Sequence, residues 1–204
     1  SEGSDSSPDT LRRARHRIAI TRGEAERLQR MLDEFLLLVK PVPLQRAVAD
    51  LNGVVSRLVE FYAPEAQGDG IRLDAYEHFE PLLVSVDASI FRQALLNLLI
   101  NARQATANGG AISIHLAVEE LGSNGTWAVV AVSDDGEGMT EEVLSKAMQA
   151  FYSTKPSGSG LGLSATSRIV AAHGGTLEVK SQPGVGTTFA IRLPLAREKD
   201  NRVG

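Results

Sequence analysis

With 204 residues, 43% of them hydrophobic, the chain can hold one ordinary domain with additions around a packed core. A net charge of −4 argues against a protein whose main business is coating nucleic acid or an anionic membrane, so neither is expected as a partner. The absence of cysteine removes disulfides, thiolate zinc sites and a cysteine nucleophile together, and no apolar run reaches the ~18 residues of a membrane span.

The first ten residues read as a disordered lead-in or a cloning scar. From Leu11 to Val39 apolar residues recur at alternating steps of three and four, through Ile18, Leu28, Leu32 and Phe35, which is the seam of a coiled-coil helix. Gly23 lies inside it at a cost of about 1 kcal/mol relative to alanine, so the first half is expected to fray. The arginines between 12 and 30 read as a solvated flank of that helix. KPVP at 40–43 stops it, because neither proline can donate the helical hydrogen bond. A helix is then expected over 51–66, strands over 71–77 and 82–86, and a long leucine-rich helix over 87–108. A strand pair, 111–119 and 126–134, joins through a GSNG turn; a short helix follows near 140–148 and another over 161–173. Two strands, 175–180 and 187–193, close the order around PGVG. The pattern predicts an α+β domain with a mixed, largely antiparallel sheet.

Four stretches carry chemistry. In FRQALLNLLINARQATAN, the amides Gln93, Asn97, Asn101, Gln104 and Asn108 fall on one helical face, an exposed polar stripe or a face that meets a ligand or metal. VSDDGEGM at 132–139 ends a strand in two carboxylates and two glycines. It reads as a tight turn, or as a carboxylate that accepts from an exocyclic amine while bare backbone lets a flat ring approach, which would suit adenine. FYSTKPSGSGLGLS at 151–164 fits neither the dinucleotide fingerprint nor the P-loop order. Its glycines at 158, 160 and 162 would let backbone N–H groups converge on an anion at a helix N-terminus, with Lys155 as a mobile charge; a flexible hinge would look similar. PGVGTTF reads equally well as a hairpin turn entering a strand.

In order, NLLINA, DDGEGM, FYSTK, GSGLGL and GVGTTF resemble the N, G1, F, G2 and G3 boxes of bacterial sensor histidine kinases, across roughly residues 44–195. Those kinases share a superfamily with gyrase-like, heat-shock chaperone-like and mismatch-repair ATPases. NARQA and FYSTKP look most like the nitrogen-regulation type. The resemblance implies a two-layer α/β sandwich, the Bergerat ATP-binding fold, with a mixed sheet of about five strands and three main helices. It implies ATP and Mg²⁺ as ligands, with Asn101 coordinating the metal and Asn97 facing the γ-phosphate. Asp134 would accept the adenine amino proton, Gly136 and Gly138 would shape that wall, and Thr187 would lie near the base. Residues 140–160 would form a lid anchored by Phe151, with Lys155 reaching the phosphates and Gly160, Leu161, Gly162 and Leu163 cradling them. Gln104, Met139, Thr154 and Gly158 join the ATP-binding set, and Asn97 and Lys155 are the expected catalytic pair.

Two residues depart from the family pattern. Gln104 stands where many members carry a lysine, so Lys155 takes more of the cationic role; Asp135 replaces the usual asparagine and brings a negative charge near the site. The phosphoacceptor box, a histidine followed by an acid and then a proline, is missing: His16 is followed by RIAIT. His173, in AHGG, fits a helix end where its partial charge suits the carbonyl dipoles. Residues 11–40 therefore resemble the second helix of a dimerisation hairpin, 44–195 the catalytic domain and 196–204 a tail. The implied partners are the phosphoacceptor helix of a homodimeric parent and a response-regulator receiver domain. The implied location is the cytoplasm, with the parent free to be tethered to the inner membrane. Asn97 stands where superfamily ATPases carry a glutamate, and an amide cannot take a proton from water, which favours transfer to histidine. A nucleotide-gated interaction module and an anti-sigma-type serine kinase are the alternatives.

Overall fold

A computed structural model describes residues 8–40, 43–120, 125–155 and 158–196. The lead-in at 1–7, Pro41, three residues of the GSNG turn and the tail from 197 lie outside them. In chain order the elements are α1 (Pro8–Val39), β1 (Ala47–Asp50), α2 (Leu51–Gly68), β2 (Arg72–Tyr76), β3 (Leu83–Val86), α3 (Ala88–Ala105), β4 (Ala111–Glu120), β5 (Thr126–Asp134), α4 (Glu141–Lys146), α5 (Gly162–Ala172), β6 (Thr176–Gln182) and β7 (Gly186–Pro194). No described helix is long and apolar enough to cross a membrane.

Strand alternation sets the layers. Ile112, Ile114 and Leu116 of β4 are buried while His115 between them is exposed, and β5 and β7 repeat the pattern with Val130, Val132, Ile191 and Leu193. Five strands form a sheet in the order β2-β4-β5-β7-β6. β2 runs parallel to β4, and the other neighbours are antiparallel. The crossover that a parallel pair requires passes through β3 and α3. The inward side chains form one cluster with Leu58 of α2, Phe91, Leu95, Leu98 and Leu99 of α3, and Val170 of α5. Each fully buried leucine in it contributes roughly 1.5–3 kcal/mol by leaving water.

Carboxylate caps fix where the helices begin. Asp50 Oδ1 accepts from Asn52 N–H at the start of α2 and from Leu82 N–H, and Asp87 Oδ1 accepts from Ser89 and Ile90 N–H at the start of α3. Gln45 N–H also donates to Asp87 and, with those two donors, holds its carboxyl below the usual carboxylate range. His173 ends α5 in the neutral form rather than as a partial cation. Its Nε2 accepts from Asp87 N–H at 3.0 Å, which leaves Nδ1 to donate to Ile169 carbonyl at 2.8 Å, and burial pushes its pKa down.

Several expectations meet the structure here. Strand β1 falls in a segment the pattern left unassigned, and it pairs with β3 as a separate two-stranded sheet. Among the described residues β3 meets the edge of the main sheet through a bridge from Val84 to Leu195 and a bond from Ala196 N–H to Leu83 carbonyl. α3 stops at Ala105, not near 108, because Thr106 turns extended and its hydroxyl and N–H both bond Ala102 carbonyl. α1 is one helix through Gly23, and the fraying of its first half stays an expectation. Its seam is exposed at Ile18, Leu28 and Val39, while Arg168 of α5 clasps its end by donating to the carbonyls of Leu38 and Lys40.

Candidate functional site

Between α3, the end of β5 and residues 137–155 and 158–163 lies a cavity of about 490 Å³. Because the described α3 keeps helical register, Asn97, Asn101 and Gln104 project into it together with Ile100, while Leu98 and Leu99 are buried in the core. Gln93 and Asn108, the ends of the amide stripe, do not reach it. Among the described residues the side chain of Asn101 makes no hydrogen bond, so its oxygen is free to bind a cation. No group of three His, Cys, Asp or Glu among the described residues could hold a metal, so most oxygens for one would have to come from a ligand and water.

Asp134 ends β5 at the cavity wall. Its Oδ1 accepts from Gly136 N–H at 3.0 Å and Thr187 N–H at 3.3 Å; among the described residues Oδ2 accepts none. Burial raises its pKa against those two donors. Thr187 is fixed in turn by Ser181, whose Oγ lies 2.8 Å from Thr187 Oγ1 and accepts from Met139 N–H at 2.8 Å. Gly138 at φ +65° lines the cavity where a Cβ would stand 2.0 Å from Gln182 carbonyl oxygen.

The glycine-rich stretch folds back on itself before α5. Phe151 N–H donates to Gly160 carbonyl at 2.8 Å, and both residues take left-handed backbone, φ +67° and +68°. A Cβ on Gly160 would lie 2.5 Å from Phe151 carbonyl carbon. Leu161 caps α5 with no side-chain hydrogen bond, so the helix presents amide donors and its positive dipole end without a built-in acceptor from the capping residue. Lys155 Nζ enters the cavity, donating to Gln104 Oε1 at 2.9 Å and Asn101 carbonyl at 3.4 Å. Burial lowers its pKa, while the charges of Glu137 and Asp134 oppose the shift.

Residues 86–197 match the family described as histidine kinase-, DNA gyrase B- and HSP90-like ATPases. The chain belongs to this family. Within it, the sensor histidine kinase ZraS of Klebsiella oxytoca is 35% identical over 189 residues, 92% of this chain and 40% of that protein. Sporulation kinase C of Bacillus subtilis is 31% identical over 84% of this chain and 39% of its own length. The chain therefore spans about two fifths of the length of those relatives. The solved histidine kinase ThkA in complex with response regulator protein TrrA has a TM-score of 0.74 to this chain at 27% identity, covering 95% of this chain and 54% of that one. Full-length ShkA in complex with AMPPNP gives 0.76 at 26% identity, over 89% and 39%.

Most residues singled out from the sequence gather in this one cavity of the ATPase domain. Asn97, Asn101, Gln104, Asp134, Gly138, Met139, Thr154, Lys155, Gly158, Gly160, Gly162, Leu163 and Thr187 all line it. Gly136, Leu161 and Phe151 do not. Gly136 lies behind the wall, where a Cβ would meet Ala105 carbonyl oxygen at 2.4 Å. Leu161 is buried, with its N–H on Ser159 Oγ. Phe151 is 69% exposed, so its side chain is not the packed anchor expected of it, and its contact with the glycine-rich stretch is through its backbone. Asp135 is exposed, and its Oδ1 accepts from Ala111 N–H at the start of β4. Met31, Glu34 and Phe189 line the cavity unforeseen; for the first two, α1 carries no local signal that it would reach a site built from residues far along the chain. Ser181 was also missed; only its place on β6 opposite Thr187 reveals it.

Proposed function

We propose that the cavity binds ATP with Mg²⁺, and that the chain is the catalytic part of a two-component sensor histidine kinase that moves the γ-phosphoryl group to a histidine outside it. The observation that carries this reading is the convergence, in one cavity, of Asp134, the amide face of α3, Lys155 and the amino end of α5. Asp134 Oδ2 would accept from the adenine amino group while Gly138 admits the ring. Lys155, already desolvated, would give up Gln104 for a phosphate oxygen, and the amides from Gly160 to Leu163 would hold the others. Mg²⁺, held through Asn101 Oδ1, would neutralise phosphate charge. Asn97 cannot deprotonate water, whereas a neutral imidazole needs no base, so transfer would outrun hydrolysis.

In this reading residues 44–195 form the ATP-binding unit, and α1 is the second helix of a dimerisation hairpin in a homodimeric parent. A response-regulator receiver would take the phosphoryl group next, in the cytoplasm where ATP is available, whether or not the parent is membrane-tethered. The test is transfer from γ-labelled Mg·ATP to a separately made helical hairpin bearing a histidine, an acid after it and a proline a few residues on. Acid-labile label on the hairpin and none on this chain is the expected result. Bound ATP with an unlabelled hairpin would remove the transfer step and leave a nucleotide-binding module.

A further inference from the structure

Helix α1 closes one side of the cavity with a carboxylate. Met31 and Glu34 both line it, and Glu34 Oε2 accepts a hydrogen bond from Ser159 Oγ at 2.8 Å. The same hydroxyl accepts from Leu161 N–H at 3.2 Å. Glu34 Oε1 lies 3.5 Å from the point that a Cβ on Gly162 would occupy, and Asn97 Nδ2 lies 3.9 Å from that point. One amide at the start of α5 is therefore already turned toward a serine that α1 holds, and a negative charge stands beside donors suited to an anion. The clasp of Arg168 on the carbonyls of Leu38 and Lys40 secures the same helix one turn further on, away from those donors.

We infer that docking of α1 and binding of a nucleoside triphosphate oppose each other through Glu34, which makes this residue a determinant of the preference between triphosphate and diphosphate. The inference rests on the reading that the polyphosphate lies at the amino end of α5 beside Asn97. There a terminal phosphate and the Glu34 carboxylate repel each other at short range. Linkage then requires reciprocity: docked α1 weakens triphosphate binding by the same factor by which the triphosphate weakens docking. A diphosphate, lacking the outermost charge, is less affected. Glu34 is a positioning residue in this scheme and takes no part in the chemistry.

Because the sequence has no cysteine, Gln29→Cys on α1 and Thr176→Cys on β6 can carry a pair of distance-reporting labels. Their separation is measured alongside the affinity for Mg·ATP and Mg·ADP. In the otherwise unaltered chain, Mg·ATP should lengthen and broaden the separation more than Mg·ADP does. Glu34→Gln keeps an acceptor for Ser159 and removes the charge. It should bind Mg·ATP on the order of tenfold tighter, with a smaller gain for Mg·ADP, and its label separation should no longer respond to ATP. Arg168→Ala leaves the charge in place but loosens the docked helix, so it too should tighten ATP binding, from a separation already broad without nucleotide. An affinity of Glu34→Gln within twofold of the parent, or a separation that ignores bound ATP, overturns the inference while the nucleotide site stands. No ATP binding by any of the three proteins overturns the site itself, and the inference with it.

Discussion

Asp134 must hold its charge where burial disfavours charge. Its pKa is raised in the fold, so its ionisation opposes folding: the stabilising protonated form is fully present below the unfolded value near 3.9 and is lost as pH rises through the raised value. Asp134→Asn keeps an acceptor for Gly136 and Thr187 and removes that cost. It should leave the melting temperature at pH 7 unchanged or higher while weakening ATP binding by roughly 10- to 150-fold, the worth of one charged hydrogen bond; calorimetry reads both. In the unaltered chain, ATP affinity should begin to fall, as pH is lowered, at a higher pH than an ordinary aspartate would dictate. His173 works in the opposite direction. Its folded pKa is lowered, so the unfolded chain binds the extra proton first, and stability should decline as pH drops below about 6.5. Melting curves from pH 8 to 5 should show that slope, and His173→Gln should flatten it. The sequence placed His173 at a helix end but not its charge state, because the donor that decides it, Asp87 N–H, lies 86 residues away.

At the scale of elements, α3 was legible because its amides and leucines segregate on a helical period, and the three that matter kept their spacing. Its end was misread for a local reason: Thr106 turns extended while its N–H still makes the last helical bond to Ala102 carbonyl, and its hydroxyl adds a second bond to the same oxygen. β1 was missed because four residues of AVAD give too short an alternation, and its partner β3 lies more than 30 residues on. The fold-back of the glycine-rich stretch depends on two left-handed residues, of which the sequence advertised only the glycine. Gly160→Ala would force a Cβ against Phe151. It should cost ATP affinity at least tenfold while changing the melting temperature little, because the strain of about 1–3 kcal/mol falls on a segment that packs little of the core. Titration of a fluorescent ATP analogue would measure it, and equal affinity would show that the clasp of Phe151 and Gly160 is dispensable. A core substitution on the site-bearing helix should do the reverse: Leu98→Ala would cost 2–5 kcal/mol of stability, read by denaturant unfolding, and weaken nucleotide binding only through the helix it loosens.

For the molecule as a whole, the ordered glycine, amide and aspartate motifs were enough to identify the family, since the chemistry of a nucleotide restricts which residues can stand around it. What they could not convey is which distant surface covers the site, as with Met31 and Glu34. Tertiary approach of two helices leaves no trace in the spacing of either. The strand order carries a further consequence. β7 is the last of the described strands, yet it lies between β5 and β6 and aligns with Asp134 through Thr187. During synthesis, β2, β4 and β5 can pair as they leave the ribosome, but β6 must wait with no neighbour until Gly186–Pro194 has followed it. β6 and β7 then pair locally as a hairpin, and docking β7 onto β5, whose partners Asp134 and Thr187 are far apart in sequence, is the late, long-range step, the slow kind of β pairing. Released chains truncated before residue 186 should expose β6 and the flank of β5 to proteases and to chaperones, and restoring Gly186–Pro194 should protect both.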